Sequence, residues 1–532
     1  MEQPLFWSDQ LAFGITRKFE DRDVYVCASG ITPSGRVHAG NFREIITTDF
    51  VVKSLQNMGE RTRFIYSWDD YDRFRKVPKQ VPDKWKQYIG LPVSEVPDPW
   101  NCQCGSYARH FEKKLEEELE DLHMEVEFIR QSEMFQKSKY AELIKKAMNR
   151  RDEIKEILDQ YRKEPLGEDW YPLRVYCKEC GKDFTDIKSY DGDYTVEYHC
   201  KECEEDFGVN FKENDSVKPS WRVDWPMRWA YENVAFEPGG KDHSAAGSSR
   251  DTGKEIVKEV FNSEPPVYQM YDFVSLKGLK GKMSSSSGDN VTLTDLKEVY
   301  TPEIIRFLFS ETKPNKEFDI SFDEDIISIY SKFDHVEDVY FNPEQIDNER
   351  KRKHLKRVYE LAVVEIPEKQ PLRAPFDHLA FLAQTRPREE WGEEVMESLK
   401  RTGHIRGDIS EDQKDHIVER MEKALNWAET YAPDKYRYKI SSEVSSTTLE
   451  ELSTGQIEAM KDLAEILEGE EFEDKDELED VLFDLPDKHG IETGEFFKAA
   501  YQCLLGRDQG PRLSNFILAL GQDKARDILS TI

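Results

Sequence analysis

Cysteine is scarce in this chain, with eight among 532 residues. That number cannot build a disulfide framework for a protein of this length. Six of the eight fall in close pairs, Cys102/Cys104, Cys177/Cys180 and Cys200/Cys203, and only Cys27 and Cys503 stand alone. Close pairs in an otherwise cysteine-poor chain read as metal ligands. Long apolar runs are also missing: none approaches the roughly 18 residues that span a bilayer. The start, Met1-Glu2-Gln3-Pro4, has neither the basic nor the apolar stretch of a signal peptide. A soluble cytoplasmic protein with no membrane partner is therefore expected. Basic charge is in deficit, with 75 Lys and Arg against 107 Asp and Glu, for a formal net charge of -32. Taken globally, this argues against a nucleic-acid partner, because phosphate binding needs cations. Binding follows local patches, however, and net charge speaks mainly to solubility. Disorder is excluded by an aromatic share of 12% with ten Trp. The length calls for several domains.

The first organised stretch is a strand, a turn, a helix and a second strand. Residues 24–30 (VYVCASG) read as a short buried strand. Phe42, Ile45, Ile46, Phe50, Val51 and Leu55 recur with helical spacing up to Gly59. Residues 63–68 read as the next strand, ending in Asp69-Asp70. This is the opening of a parallel sheet with helices on its faces, a Rossmann-type α/β fold. Prolines then accumulate, and residues 97–217 read as an inserted domain. The α/β pattern returns from Trp221, where WRVDWPMRWAYENVAFEPGGKDHSAAGSS reads as short strands joined by functional loops. A helix is expected over 252–261 and a strand over 267–276. The expected division is 1–96 and 218–280 for the two halves of the sheet domain, with 97–217 a zinc-binding insertion. Residues 281–345 form a loop and linking region, and 346–532 an all-α region.

Two stretches carry nucleotide chemistry. Thr32-Pro33-Ser34-Gly35-Arg36-Val37-His38-Ala39-Gly40-Asn41 lies between a strand and a helix start, where backbone N–H groups favour an anion. His38 and Asn41 share one face of the first turn and can both donate to phosphate oxygens. The second stretch is Lys277-Gly278-Leu279-Lys280-Gly281-Lys282-Met283-Ser284-Ser285-Ser286-Ser287-Gly288, whose lysines can neutralise phosphates. A third pattern, Cys177-x2-Cys180-x19-Cys200-x2-Cys203, has the spacing of a four-thiolate zinc ribbon, closed to substrate. Asp98-x3-Cys102-x-Cys104-x5-His110 offers a second, mixed set of zinc ligands.

The ordered pair HAGN and KMSSS resembles the HIGH and KMSKS motifs of class I aminoacyl-tRNA synthetases. Asn41 replaces the second His, and Ser285 the second Lys. The stretches SGITPSGRVHAGNFRE, SWDDYDRFRK, WRVDWPMRWA, GKDHSAAGSSRDTG and KMSSS are similar to the class I lysyl-tRNA synthetases. Beyond the KMSSS loop the likeness is one of helical character only. The resemblance implies that ATP, with Mg2+ on its phosphates, contacts Pro33, Ser34, Gly35, His38, Gly40, Asn41, Lys280, Lys282, Met283, Ser284, Ser285 and Ser286. It implies that His38, Asn41 and Lys282 stabilise the transition state. Gly30 and Thr32 would line a lysine pocket, Trp221 and Tyr271 pack on its methylenes, and His243 hydrogen-bond it. A lysine ammonium needs a carboxylate, and Asp69, Asp70, Asp224 and Asp242 are the sequence candidates. The resemblance further implies tRNA(Lys), L-lysine and ATP as partners, a 2′-hydroxyl acceptor on the tRNA, a second zinc and a helical anticodon-binding end. The basic run Asn348–Arg357 is a candidate grip on tRNA backbone. The nearest rival is a glutamyl-type synthetase, whose basic pocket would draw on Arg36, Arg43 and Arg222. A further rival is a nucleotidyltransferase that does not use tRNA.

Lys282→Ala is expected to slow adenylate formation far more than it weakens lysine binding. Pyrophosphate exchange checks this, and an unchanged exchange rate removes Lys282 from the reaction.

Overall fold

The computed structural model describes residues 4–213, 216–244, 247–278, 291–405, 407, 409–472 and 475–532. They form two compact units. The first joins Met1–Leu296, Ile305–Ile320 and Glu349–Val364; the second joins Lys297–Ile304, Ser321–Asn348 and Glu365–Ile532.

The first unit is built on β1 (Tyr25–Ile31), β2 (Thr62–Trp68), β3 (Glu127–Arg130) and β9 (Val234–Phe236). These make one parallel sheet in the order β3-β2-β1-β9. The first five residues of β1 are all buried, as expected for a strand covered on both faces. The register pairs Ile31 with Trp68 and Trp68 with Arg130, so the C-terminal ends of three strands lie level. The chain leaves β1 on one side toward β2, and β9 returns on the other. Ligands of such sheets bind outside the strand ends where the order reverses, here at the end of β1.

Helix α1 (Trp7–Lys18) and helix α2 (Ala39–Asn57) flank this sheet. Thirteen of the nineteen residues of α2 are buried, including Arg43, Asp49 and Ser54. The helix stops at Gly59, whose φ of 87° is the left-handed value that a C-terminal glycine adopts freely. The inserted stretch contains α3 (Tyr107–Asp121), α4 (Gln131–Gln136), α5 (Ala141–Asn149) and α6 (Arg151–Asp159). It also holds β4 (Leu173–Val175), which pairs with β8 (Val217–Pro219), and an antiparallel meander of β5 (Thr185–Tyr190), β6 (Thr195–Cys200) and β7 (Glu205–Asn210).

Three local expectations change. Strand β3 lies inside the stretch read as an insertion, yet it forms the edge of the main sheet. The stretch read as short strands from Trp221 opens instead with helix α7 (Trp221–Glu232), ended by Asn233 at φ 54°. Pro226 deletes the N–H that would meet the Arg222 carbonyl, which disguises the helix. Burial of Trp225 and Trp229 against Val26, Ala28, Ile65 and Val257 offsets that loss. Helix α8 (Ser249–Glu259) follows, and β10 (Gly239–Gly240) pairs with β11 (Met270–Tyr271). The single strand expected over 267–276 is divided. After β11 the chain bends at Asp272-Phe273 into β12 (Val274–Leu276), which pairs with β13 (Phe318–Ile320).

Two further helices complete this unit. Arg306, 1% exposed in α10 (Pro302–Ser310), meets Asp49 at 2.6 Å and the Leu361 carbonyl at 3.1 Å. Helix α12 (Glu349–Ala362) is tied to the first unit by Arg357, which donates to Asp9 at 2.7 Å and Ser54 at 3.0 Å. The basic helix read as the start of the C-terminal region thus belongs with the sheet.

The second unit is helical, with α11 (Asp325–Phe341) and all later helices except α12 in it. Arg373 holds the fully buried Glu337 through two bonds of 2.9 Å, and Arg420 pairs with Asp334. No helix among the described residues is long and apolar enough to cross a membrane.

Arg306→Ala leaves Asp49 buried without its cation. Breaking such a pair from one side costs about 3–5 kcal/mol. The expected result is a lower midpoint in urea unfolding, with most of the loss recovered in the Arg306→Ala/Asp49→Ala double variant.

Candidate active site and metal centres

The nucleotide turn is assembled by α2 itself. His38 precedes the helix in extended geometry, and its Nδ1 accepts the Asn41 N–H at 3.3 Å. Asn41 returns its Oδ1 to the His38 N–H at 3.5 Å. The two motif residues cap each other. Because Nδ1 accepts, the ring hydrogen of the neutral imidazole sits on Nε2, a donor set by the cap. A Cβ on Gly40 would lie 3.0 Å from the His38 ring, so only glycine lets the imidazole fold over the first turn. Pro33 and Gly35 are buried and Ser34 is exposed. The Ser34 carbonyl accepts the Tyr107 hydroxyl at 2.7 Å. Lys280, Lys282, Met283, Ser284, Ser285 and Ser286 lie outside the described residues. The flanks of their segment are described. Lys277 N–H donates to Ile320 O at 2.8 Å, beside β12. On the far flank Thr292 bridges to His38, and Ala39 N–H donates to Val291 O at 2.8 Å. The described residues on either side of this segment thus lie beside β12 and at the HAGN turn.

Beside this turn, a cavity at the ends of β1 and β2 is lined by Gly30, Asp69, Trp221, Trp225, Arg228 and Glu237, among others. Trp221 and Trp225 stack with ring centres 5.3 Å apart, and His243 lies 6.1 Å from Trp225. Glu237 accepts the indole N–H groups of Trp225 and Trp229. Asp69 pairs with Arg228 at 2.6 Å. Next to them, Glu44 of α2 accepts the Gly30 N–H at 3.1 Å and the Tyr271 hydroxyl at 2.6 Å. Burial pushes the Glu44 carboxyl up to about 7; its two hydrogen bonds oppose the rise, while Glu237 and Asp69 add to it. Glu237 and Asp69 line the cavity; Glu44 and Tyr271 lie outside its lining, with Glu44 close enough to feel both charges.

Other expected pocket residues are engaged elsewhere. Asp224 is fully buried, 3.4 Å from Arg228 and 3.8 Å from Lys218, and does not line the cavity. Thr32 donates its hydroxyl to Asp72 at 2.7 Å, and Asp72 in turn pairs with Lys218. Asp70 accepts from the backbone and hydroxyl of Ser132, and its burial raises it to about 6. Asp242 sits exposed in the turn Lys241–His243. A Cβ on Gly30 would stand 2.6 Å from Ser67 O, so the neighbouring strand already demands glycine there. Sequence reasoning missed Glu44 and Glu237. The signal for Glu44 was its place three residues after Asn41, one turn along the helix that the HAGN motif opens.

The rival's cations are spent or remote. Arg36 is exposed. Arg43 donates to four backbone carbonyls, and Arg222 to Gly247 O, Ser248 O and the Thr252 hydroxyl. None of the three lines the cavity.

The four ribbon cysteines converge. Cys177 and Cys203 sulfurs stand 3.9 Å apart, Cys180 and Cys200 3.7 Å, and all four within 4.8 Å of one another. Tetrahedral zinc with bonds of about 2.3 Å sets sulfurs roughly 3.8 Å apart, so this cluster fits zinc. The Glu179 N–H points at Cys177 Sγ at 3.4 Å, the kind of support a thiolate ligand needs. The second group is Cys102, Cys104 and His110, with Cys102 Sγ 3.1 Å from His110 Nδ1. Asp98 is not part of that cluster. It caps the loop, accepting the N–H groups of Trp100 at 3.0 Å and Cys102 at 2.7 Å. The Cys102 and Cys104 sulfurs are joined as a disulfide, so only the reduced pair offers thiolates.

Residues 5–365 match the family of class I tRNA synthetases (K). The chain belongs to the class I lysine-type tRNA synthetases. Residues 382–530 of this synthetase match an anticodon-binding domain. It is 45% identical over 521 residues to a lysine–tRNA ligase of Thermococcus kodakarensis, covering 97% of this chain and 98% of the relative. With that of Pyrococcus furiosus it shares 44% over 521 residues, covering 97% and 98%. With that of Borreliella burgdorferi the identity is 40% over 528 residues, covering 98% of each.

Proposed function

We propose that this synthetase is a lysine–tRNA ligase, which activates L-lysine with ATP and transfers it to the terminal 2′-hydroxyl of tRNA(Lys). The observation that carries the amino-acid choice is the acidic pocket. Glu44, held by Gly30 and Tyr271, receives the ε-ammonium. Glu237 and Asp69 add negative potential, and Trp221 covers the methylenes. A glutamate side chain there would meet carboxylates with its own charge.

The lysine carboxylate attacks the α-phosphorus of ATP, the bond to the β-phosphate oxygen breaks, and pyrophosphate leaves. Nε2–H of His38 and the Asn41 amide donate to phosphate oxygens at the helix start, where the backbone N–H groups add to the field. Lys282 neutralises developing charge, and Mg2+ accompanies the nucleotide. The tRNA 2′-hydroxyl oxygen then attacks the lysyl carbonyl carbon, and AMP leaves. Catalysis is positioning plus charge stabilisation, with no covalent enzyme intermediate.

Four cysteines, Cys177, Cys180, Cys200 and Cys203, would hold a structural zinc. Cys102, Cys104 and His110 would hold a second when reduced, with Asp98 shaping the loop. The anticodon-binding match and the basic helix α12 support tRNA as the acceptor, which argues against a tRNA-independent nucleotidyltransferase. A charging enzyme of this kind works in the cytoplasm.

ATP–pyrophosphate exchange and charging of total tRNA, run with each of the twenty amino acids, are expected to respond to lysine alone; a response to glutamate overturns the reading. Glu44→Gln removes a charged acceptor, worth about 1.5–3 kcal/mol, and is expected to raise KM for lysine by roughly ten- to a hundredfold. The pH dependence has a definite sign. The ammonium needs ionised Glu44, so KM for lysine rises as pH falls below about 7, and Glu44→Gln flattens that profile.

A further inference from the structure

Arg43 is 2% exposed, and among the described residues no carboxylate forms an ion pair with it. Its guanidinium donates to Asp272 O at 3.1 Å, Phe273 O at 3.0 Å, Lys313 O at 2.9 Å and Lys316 O at 2.5 Å. The Asp272 carboxylate is turned to Lys241, at 3.0 Å. The Phe318 ring lies 5.0 Å beneath the guanidinium. A planar cation with five donors suits four convergent carbonyls; a methylene chain in its place would leave them buried and unpaired.

The carbonyls belong to two segments. One directly follows Tyr271; the other is the turn before β13. The segments are themselves joined, because Asp272 N–H donates to Pro314 O at 2.8 Å and Val274 pairs with Phe318. The next residue of α2, Glu44, takes the Tyr271 hydroxyl. Two consecutive helix residues thus hold three consecutive residues of the passing chain. One holds its backbone and the other its side chain.

We propose that Arg43 is a positioning residue for amino-acid recognition: it fixes the backbone at 272–273 so that the Tyr271 hydroxyl stays on the Glu44 carboxylate. The proposal rests on the reading of Glu44 and Tyr271 as the ammonium end of the pocket. Arg43 touches no substrate, so its effect must pass through Tyr271.

Steady-state kinetics of the full chain, well below its unfolding temperature, test this with Arg43→Met, Arg43→Lys, Tyr271→Phe and the paired variants. Arg43→Met is expected to raise KM for lysine about tenfold or more, the scale of a small misplacement, and to leave KM for ATP within about twofold. Arg43→Lys recovers part of the loss, because an ammonium can serve some of the four carbonyls. Combined with Tyr271→Phe, either Arg43 variant should add little, since both disturb one contact. A variant that only lowers the melting temperature, raises both KM values alike, or multiplies its effect with Tyr271→Phe overturns the proposal. If Arg43→Met does not fold, the Arg43→Lys cycle gives the same answer. Tyr271→Phe alone tests the pocket: an unchanged KM for lysine removes that reading and the role of Arg43 with it.

Discussion

A helix buried on nearly every side must give its charged and polar groups partners, and α2 meets that demand by reaching several segments of the first unit that are distant in sequence. Its first turn is closed by His38 and Asn41. Arg43 collects four carbonyls, Glu44 takes Gly30 and Tyr271, Asp49 takes Arg306, and Ser54 takes Arg357. An unpartnered charge at any of these positions would cost several kcal/mol. The burial that requires these bonds is thus what joins the nucleotide turn, the pocket and three segments distant in sequence. The functional groups are consecutive on this helix because helix start and strand end meet at the same crevice.

Charge decides the substrate locally where the global balance misleads. A net charge of -32 suggests an indifferent, soluble surface. Yet the pocket is acidic for a specific reason: burial raises the Glu44 and Glu237 carboxyls, the charge of Asp69 adds to the rise of both, and Arg228 is the neighbouring cation. Conversely, helix α12 concentrates Arg350, Lys351, Arg352, Lys353, Lys356 and Arg357 within one basic run, against the overall sign. In the proposed reading each patch serves one part of the substrate set, an ammonium in the first case and phosphates in the second.

The legible parts of the sequence were those whose signal is local. Strand, turn, helix and strand from Tyr25 to Trp68 follow from apolar spacing and glycine, and the ribbon cysteines from their intervals. Strand β3 was hidden because only Phe128 and Ile129 are apolar in a charged stretch, and an edge strand needs no more. Helix α7 was hidden by Pro226, although Trp221, Trp225 and Trp229 recur every four residues and meet along one face. Glu44 and Glu237 were passed over because acids in an amphipathic pattern read as solvent-facing, and burial is a property of the assembled unit. Of the Asp residues singled out from sequence, Asp69 lines the cavity, while Asp70, Asp224 and Asp242 do not. Asp69 and Asp224 are paired with Arg228, and Asp70 is held by Ser132.

In the proposed reading Glu44 is the group on which lysine recognition turns, and its raised carboxyl makes that directly measurable. Near pH 7 a substantial fraction of Glu44 is protonated, so binding of a cationic side chain must expel a proton. Calorimetry of lysine binding in two buffers of different ionisation enthalpy counts that proton. The account predicts net proton release near pH 7 that disappears in Glu44→Gln and with norleucine, which lacks the ammonium. Lysine binding with no proton release, or release that persists in Glu44→Gln, would contradict it.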